Sequence, residues 1–403
     1  MEPTGKALFV VMDGLGDRGA DTPLSTANSP HLDDLASKST TGLLHTIGEG
    51  LVPGSDTAHL ALFGYDPHEY YKGRGAFEAL GAGLDLKHGD IAFRTNLCTL
   101  DDKGIIIDRR AGRKELGFAE LYDALNGMEV EDCRVLVKHT VEHRGAMVLS
   151  GPGLSEKIGN TDPHETGKPL MQSAALDAEG GKAARILNEF TKKACAILRA
   201  HPANQKRKEA GLPPANGVAS RGPGVFAKVK PIAERLHLRA ACVAGGALYK
   251  GVARYVGMTI EDAAGATGTA DTNLKSKAAK ALEVKDKYDL VFCHIKATDS
   301  FGHDGNFEGK RGMIERVDAE FLPAVVGQFD VIVLTGDHTT ACSAKRHTAD
   351  PVPILVWHRD VRPDGVRKLC ESQARAGGLG HIFGREVMRI IQDYLDVSEM
   401  FGE

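Results

Sequence analysis

The chain has no CxxC pair, no excess of positive charge, no apolar run approaching bilayer length, and neither an internal repeat nor a low-complexity tract. Each absence removes a class of protein. Seven scattered cysteines (Cys98, Cys133, Cys195, Cys242, Cys293, Cys342, Cys370) are odd in number. They suit reduced thiols in a cytoplasmic protein better than a disulfide framework. Lys plus Arg total 50 against 54 for Asp plus Glu, a net charge of −4. No global basic field exists to hold nucleic acid or an anionic membrane, so any anion site must be local. The first apolar run, ALFVVM, is cut short by Asp13 and Gly14. That is neither a secretory core segment nor the roughly 20 residues of a spanning helix.

What remains is ordinary globular usage, with 42% hydrophobic and 26% charged residues over 403 positions. Single cores stop growing at about 250–300 residues, so two domains are expected. Glycine is abundant at 47 residues, which predicts tight turns and close backbone approaches around ligands.

Short continuous apolar runs at Ala7–Met12, Ala240–Ala244, Leu290–Ile295, Val331–Leu334 and Val352–Trp357 read as parallel strands covered on both faces. Helical patterns at Thr272–Leu282, Ile314–Val326 and Phe383–Tyr394 alternate with them. The fold class is therefore α/β, a mostly parallel sheet with helices on both faces. The middle of the chain differs. IAFRTNLCTLDDKGIIIDRR and RVLVKHTVEHRGAMVLSG are strand pairs of hairpin character, with Asp101–Gly104 as a turn. This predicts a smaller α+β domain over 83–222, inserted into a first domain made of 1–82 and 223–403. Gly- and Pro-rich segments at 81–86, 212–217 and 221–224 are its expected exits.

The chemistry-bearing residues cluster at strand ends, where ligands of open α/β sheets bind. Asp13 follows the first strand in VVMDGLGD, and Asp337 and His338 follow another in TGDHTT. Asp299 and His303 are four apart in KATDSFGHDG, a spacing that puts both on one face of a helical turn. His347 precedes a Pro-bounded strand. Taken singly, each has a plain structural reading as a turn cap or a surface imidazole. Together they are three carboxylates and three imidazoles, an inventory that suits two adjacent divalent ions. In LVPGSDTAHLALFGYDP, Ser55 opens a helix, where it serves as an N-cap, a nucleophile or both.

These motifs, with KGRGAFEALGAGLDL, IAFRTNL, DRRAGR, TDPHE, HPAN, LYKGVARYVGM and GATGTADT, resemble the cofactor-independent phosphoglycerate mutases of archaeal type, within the alkaline phosphatase superfamily. The resemblance spans most of the chain. It implies an alkaline-phosphatase-like domain split by an inserted transferase domain. It also implies one ion on Asp13, Ser55, Asp337 and His338 and another on Asp299, His303 and His347. The expected activity interconverts 3-phosphoglycerate and 2-phosphoglycerate through a phosphoserine at Ser55, without 2,3-bisphosphoglycerate. Mn²⁺ is the first choice of metal, with Zn²⁺, Co²⁺ and Mg²⁺ as alternatives.

A phosphorylated, carboxylated substrate calls for guanidinium partners, and Arg94, Arg109, Arg110, Arg113, Arg144 and Arg221 are the candidates. Arg144, Asp162, Arg221 and Lys250 are favoured because they lie in segments resembling the family's substrate ligands, with Asp162 the candidate base. A metal-dependent phosphomonoesterase or a phosphopentomutase is the alternative within the superfamily. A catalytically dead binding protein is the alternative outside it.

Overall fold

The computed structural model describes residues 2–226, 229–400 and 402. They form two compact units, one of residues 1–71 with 229–403 and one of residues 72–228. The sequence expectation placed the breaks at 82/83 and 222/223, so residues 72–82 and 223–228 change sides. The reason is the helix Gly75–Gly81, which lies against the strand Ile91–Leu100. A Cβ at Gly75 would stand 1.9 Å from the Ala92 carbonyl oxygen, a contact only glycine permits.

The first unit is built on an eight-stranded sheet. In spatial order the strands are Thr259–Ile260, Ala240–Val243, Leu290–Ile295, Ala7–Met12, Val331–Thr335, Val352–His358, Thr40–His45 and Gly380–Phe383. Ala7–Met12 pairs in parallel with Leu290–Ile295 on one side and Val331–Thr335 on the other. The ends of these three central strands therefore fall along one edge. Leu8, Val10 and Met12 pack with Leu274, Ala278, Ile314 and Val317 on one face. Phe9 and Phe63 meet Phe292 on the other, with ring centroids 5.7 and 4.9 Å apart. Cover on both faces is what continuous apolar runs predict.

Val352–His358 is a correction. It was expected to be parallel, and it runs antiparallel to both neighbours. The segment before it forms a small ribbon, Thr339–Ala341 with Arg346–Thr348, instead of a crossover helix. Without a crossover, adjacent strands meet antiparallel. The pattern read at Ile314–Val326 also divides, into helices Phe307–Glu320 and Leu322–Val325. Asn306 caps the first through Gly309 N, and Pro323 confines the second to a new first turn.

The second unit is an antiparallel sheet centred on Ile91–Leu100, which pairs with Ile106–Asp108, Arg144–Ser150 and Gly217–Val225. The first hairpin turns where the sequence placed it. Asp101 Oδ1 accepts from Lys103 N and Ile105 N, and Gly104 takes φ +80°. The long helix Gly181–Ala200 covers one face through Ile186, Leu187, Phe190 and Ala194.

One buried cation ties the loops at the functional edge of the first unit. Lys310 is fully buried, and its Nζ donates to Gly16 O (2.7 Å), Asp17 Oδ2 (2.9 Å) and Thr340 O (2.9 Å). Removing the ammonium strands Asp17 and two carbonyls away from water. Lys310→Met should therefore destabilise the protein by about 3–5 kcal/mol. Urea unfolding with intact secondary structure checks this; an unchanged midpoint would mean the loops hold without the pin.

Candidate functional site

Asp13 is placed by its strand. Its backbone N donates to Ile295 O at 2.9 Å, and its side chain is fully buried at the sheet edge. Gly14 follows at φ +62°, where a Cβ would stand 2.5 Å from Thr340 Oγ1 and 2.9 Å from Asp299 Cα. That close approach lets Gly14 N donate to Asp337 Oδ1 at 2.9 Å. Two loops far apart in sequence are thereby locked together.

Ser55 differs from expectation in one respect. Gly54 is the N-cap of the helix Ser55–Leu62, and Ser55 is its first helical residue. Its hydroxyl does not cap. It faces His338 Nε2 at 3.1 Å.

The hydrogen bonds fix the imidazole tautomers. His347 Nδ1 lies 2.8 Å from Pro53 O and His303 Nδ1 lies 3.1 Å from Lys345 O. Carbonyls only accept, so each Nδ1 carries a hydrogen, and a ring in its neutral form then presents Nε2 as a lone pair. Those two Nε2 atoms stand 3.1 Å apart, at 3.4 Å (His303) and 3.3 Å (His347) from Asp299 Oδ1. Thr340 donates its hydroxyl hydrogen to Asp299 Oδ1 at 2.6 Å and so accepts from His338 Nδ1 at 3.0 Å. His338 Nε2 is left as a lone pair 3.2 Å from Asp337 Oδ2 and 3.5 Å from Asp13 Oδ1. Asp337 Oδ2 is itself buried without a hydrogen-bond partner. Acceptors thus converge with too few donors, in two adjoining groups, Asp299 with His338 and His347, and Asp13 with Asp337 and His338. Lone pairs aimed at a common point and anchored from behind fit divalent ions. The seven residues singled out from sequence come together here.

Burial and charge act against each other across this site. Burial pushes Asp13 up, but Lys296 and the hydrogen bond from His294 hold it well below the usual carboxylate range. Asp337 goes the other way, raised by burial and by the charge of Asp13. Burial pushes His338 down to about 3. His347 is raised, because its bonds to Asp299 and Pro53 outweigh burial.

Sequence reasoning missed the supporting residues. His294 Nε2 lies 3.1 Å from Asp13 Oδ2, and its ring stacks on Tyr249 with centroids 3.5 Å apart. His59, one turn after Ser55 on the same helix face, lies 2.6 Å from Ser55 O and 3.5 Å from Asp337 Oδ2. Lys296 bonds both Asp13 and Asp299. The i, i+4 spacing of Ser55 and His59 was a readable signal; the aromatic stacking was not.

In the second unit, Arg109 grips Asp162 through Nη2 at 2.8 and 3.1 Å, and Arg221 Nε lies 4.0 Å from the same carboxylate. Arg94 stands opposite Arg221 across paired strands, and Arg144 stands opposite Asn96. Burial, only partly offset by Glu78, and then repulsion from Arg221, Arg74 and Arg144 push Arg94 down to about 10. The Nε atoms of Arg109, Arg144 and Arg221 are buried without a hydrogen-bond partner among the described residues. Arg110 and Arg113 are exposed. Asp162 is held below the usual range because Arg109 and His164 N outweigh its burial, an environment that weakens it as the expected base. Lys250 belongs to the first unit, paired with Asp262 at 2.6 Å.

The chain is 45% identical to the 2,3-bisphosphoglycerate-independent phosphoglycerate mutase of Pyrobaculum neutrophilum, over 98% of this chain and 99% of that one. The chain belongs to this family. It is 44% identical to a second member, from Archaeoglobus fulgidus, with the same coverage. The profile described as 2,3-bisphosphoglycerate-independent phosphoglycerate mutase matches residues 36–204. Among solved structures, a Pyrococcus horikoshii protein is 38% identical with full coverage of both chains and a TM-score of 0.86. The cofactor-independent phosphoglycerate mutase of Thermoplasma acidophilum is 36% identical, covering 97% of this chain and 100% of that one, with a TM-score of 0.73. No described helix is long and apolar enough to cross a membrane.

The buried, unprotonated state of His338 changes the acid sensitivity expected from three ordinary imidazoles. Protons compete with an ion for its ligands, so affinity falls as pH falls. His338, with its pKa near 3, takes no part in that competition between pH 7.5 and 5.5. The apparent Mn²⁺ affinity should therefore fall as pH falls from 7.5 to 5.5 less steeply than in a site whose three imidazoles all titrate near the ordinary value of about 6.5. Calorimetric Mn²⁺ titrations across that range decide between the slopes.

Proposed function

We propose that the protein interconverts 3-phosphoglycerate and 2-phosphoglycerate through a phosphoserine at Ser55. The observation that carries this is the Ser55 hydroxyl, in the first turn of a helix and 3.1 Å from His338 Nε2, beside Asp13 and Asp337. Asp13, Ser55, Asp337 and His338 would hold one divalent ion and Asp299, His303 and His347 the other. Imidazole nitrogen among the donors favours Mn²⁺, Co²⁺ or Zn²⁺ over Mg²⁺, with Mn²⁺ the first choice. When bound, such ions lower the pKa of a coordinated hydroxyl and neutralise phosphate charge.

The chain's own residues do the rest. Ser55 Oγ gives up its proton and bonds to phosphorus as the bond from phosphorus to the glycerate oxygen breaks, and that oxygen takes up one proton in exchange. The N-terminus of the helix that Ser55 opens favours the negative charge of a phosphoryl group there. The other glycerate hydroxyl then takes the phosphoryl group back as its proton leaves, and Ser55 is regenerated. No second phosphorylated glycerate is consumed, in keeping with independence from 2,3-bisphosphoglycerate.

The first unit, 1–71 with 229–403, is on this reading the metal-binding phosphatase-like domain, and the second, 72–228, the substrate domain. A mutase must keep the departing glycerate, whereas a hydrolase can release it. The guanidinium cluster of Arg94, Arg109, Arg144 and Arg221 supplies a holder for its carboxylate, and the Nε atoms of the last three have no hydrogen-bond partner among the described residues. Asp162 orients Arg109 and Arg221, and Lys250 remains a candidate for the phosphoryl group.

Ser55→Ala should abolish mutase activity while leaving thermal stability within about 1 kcal/mol, because Gly54 and not Ser55 is the cap. The assay follows labelled 3-phosphoglycerate into 2-phosphoglycerate or free phosphate, without bisphosphate primer. Residual activity near wild type in the metal-loaded variant would exclude the covalent route, and label appearing mainly as free phosphate would favour a phosphomonoesterase. Exhaustive chelation should silence the wild type.

Arg144→Ala and Arg221→Ala should lower mutase turnover on the order of a hundredfold by misplacing the glycerate. Weak hydrolysis of p-nitrophenyl phosphate should survive in both. Loss of both activities together would assign these arginines to folding.

A further inference from the structure

With Asp13 and Asp299 read as metal ligands, as under the proposed function, Lys296 needs a role of its own, and any such role rests on that reading. Lys296 is the residue before the helix Ala297–Asp304 and directly follows the strand that pairs with Ala7–Met12. Its Nζ donates to Asp13 Oδ1 at 3.1 Å and to Asp299 Oδ2. The two carboxylates belong to the two adjoining acceptor groups. Asp13 Oδ1 is also the oxygen turned toward His338, while Oδ2 is taken by His294. The ammonium therefore lies on the oxygen that faces the candidate site. Among the described residues, no other lysine or arginine forms an ion pair with Asp13, Asp299 or Asp337.

We propose that Lys296 is a resident cation of this centre, bridging the two groups of ligands and competing with divalent ions for Asp13 and Asp299. Its contacts give it two effects of opposite sign. It neutralises two nearly buried carboxylates, whose side chains are 0% and 4% exposed, and so supports the ligand arrangement when no ion is bound. It also occupies oxygens that an ion needs, and so weakens ion binding. A lysine suits the part because its ammonium sits on a flexible four-carbon stem. Its side chain is 22% exposed, so it is not sealed from solvent as the Asp13 carboxylate is.

The test measures Mn²⁺ affinity, by the electron paramagnetic resonance of free Mn²⁺, and thermal unfolding with and without saturating Mn²⁺. It compares wild type, Lys296→Gln and Lys296→Arg, each full length and chelated beforehand. Lys296→Gln should bind Mn²⁺ about tenfold more tightly than wild type or better. It should also unfold at a lower temperature than wild type in chelator, and the gap should close in saturating Mn²⁺. Lys296→Arg keeps the charge and grips carboxylates with a planar fork, so it should bind Mn²⁺ no more tightly than wild type. Equal or weaker binding by Lys296→Gln, tighter binding by Lys296→Arg, or an unfolding gap that saturating Mn²⁺ leaves unchanged would each overturn the proposal. The last result would mark a lysine that merely supports the fold. If wild type itself binds no Mn²⁺, the ligand reading fails and the proposal with it; if wild type binds and Lys296→Gln does not differ, only the proposal fails.

Discussion

The structure of the first unit depends on concentrated negative charge at a buried sheet edge. Asp13, Asp299 and Asp337 are nearly or wholly out of water, and ionised carboxylates that close raise one another's pKa unless positive charge or donors intervene. Asp13 and Asp337 show this division, one held low by Lys296 and His294 and the other pushed high beside it. A chain that spends stability on such an arrangement needs cations there, and the imidazole lone pairs collected around it suit divalent ones. The fold contributes three parallel strands whose ends align, so that residues from distant segments arrive at one edge.

Precision in that arrangement comes from backbone and buried polar contacts more than from the carboxylates and imidazoles themselves. Gly14 lets its loop press against Thr340 and Asp299. Lys310 ties the same loop to the ribbon that carries Thr340. Thr340 passes orientation along a relay, accepting from His338 and donating to Asp299. Behind these, His59, His294 and Tyr249 form a wall in which each ring limits the next. Such outer contacts set ligand tautomers and direction.

The second unit solves a different problem. Its antiparallel strands bring arginines opposite one another, a repulsive arrangement that Asp162 and Glu78 relieve only in part. Guanidiniums left with buried, unpartnered Nε atoms are poorly satisfied by the protein alone. Such donors suit an anion.

Much of this was legible in the residues. Continuous apolar runs identified the central strands because burial on both faces leaves no room for polar alternation, and Asp13, Asp299 and Asp337 were marked by standing at or just after strand ends. The residues that converge at the sheet edge could be named because their motifs are local. The direction of Val352–His358, the strand Thr40–His45 and the edge strand Gly380–Phe383 were not legible. Strand direction depends on what fills the connection, and edge strands carry weak patterns. The unit boundary at 71/72 likewise turned on one close contact, Gly75 against Ala92, between residues whose types reveal nothing of it. The sequence by itself determined the fold class, through the periodicity of its apolar runs, and the family, through the resemblance of its short motifs. Only the tertiary structure decided which nitrogen of each histidine faces inward, which arginines share a carboxylate, and that Lys296 lies between Asp13 and Asp299. Those are distances between side chains remote in the chain, and they exist only once the strands are aligned.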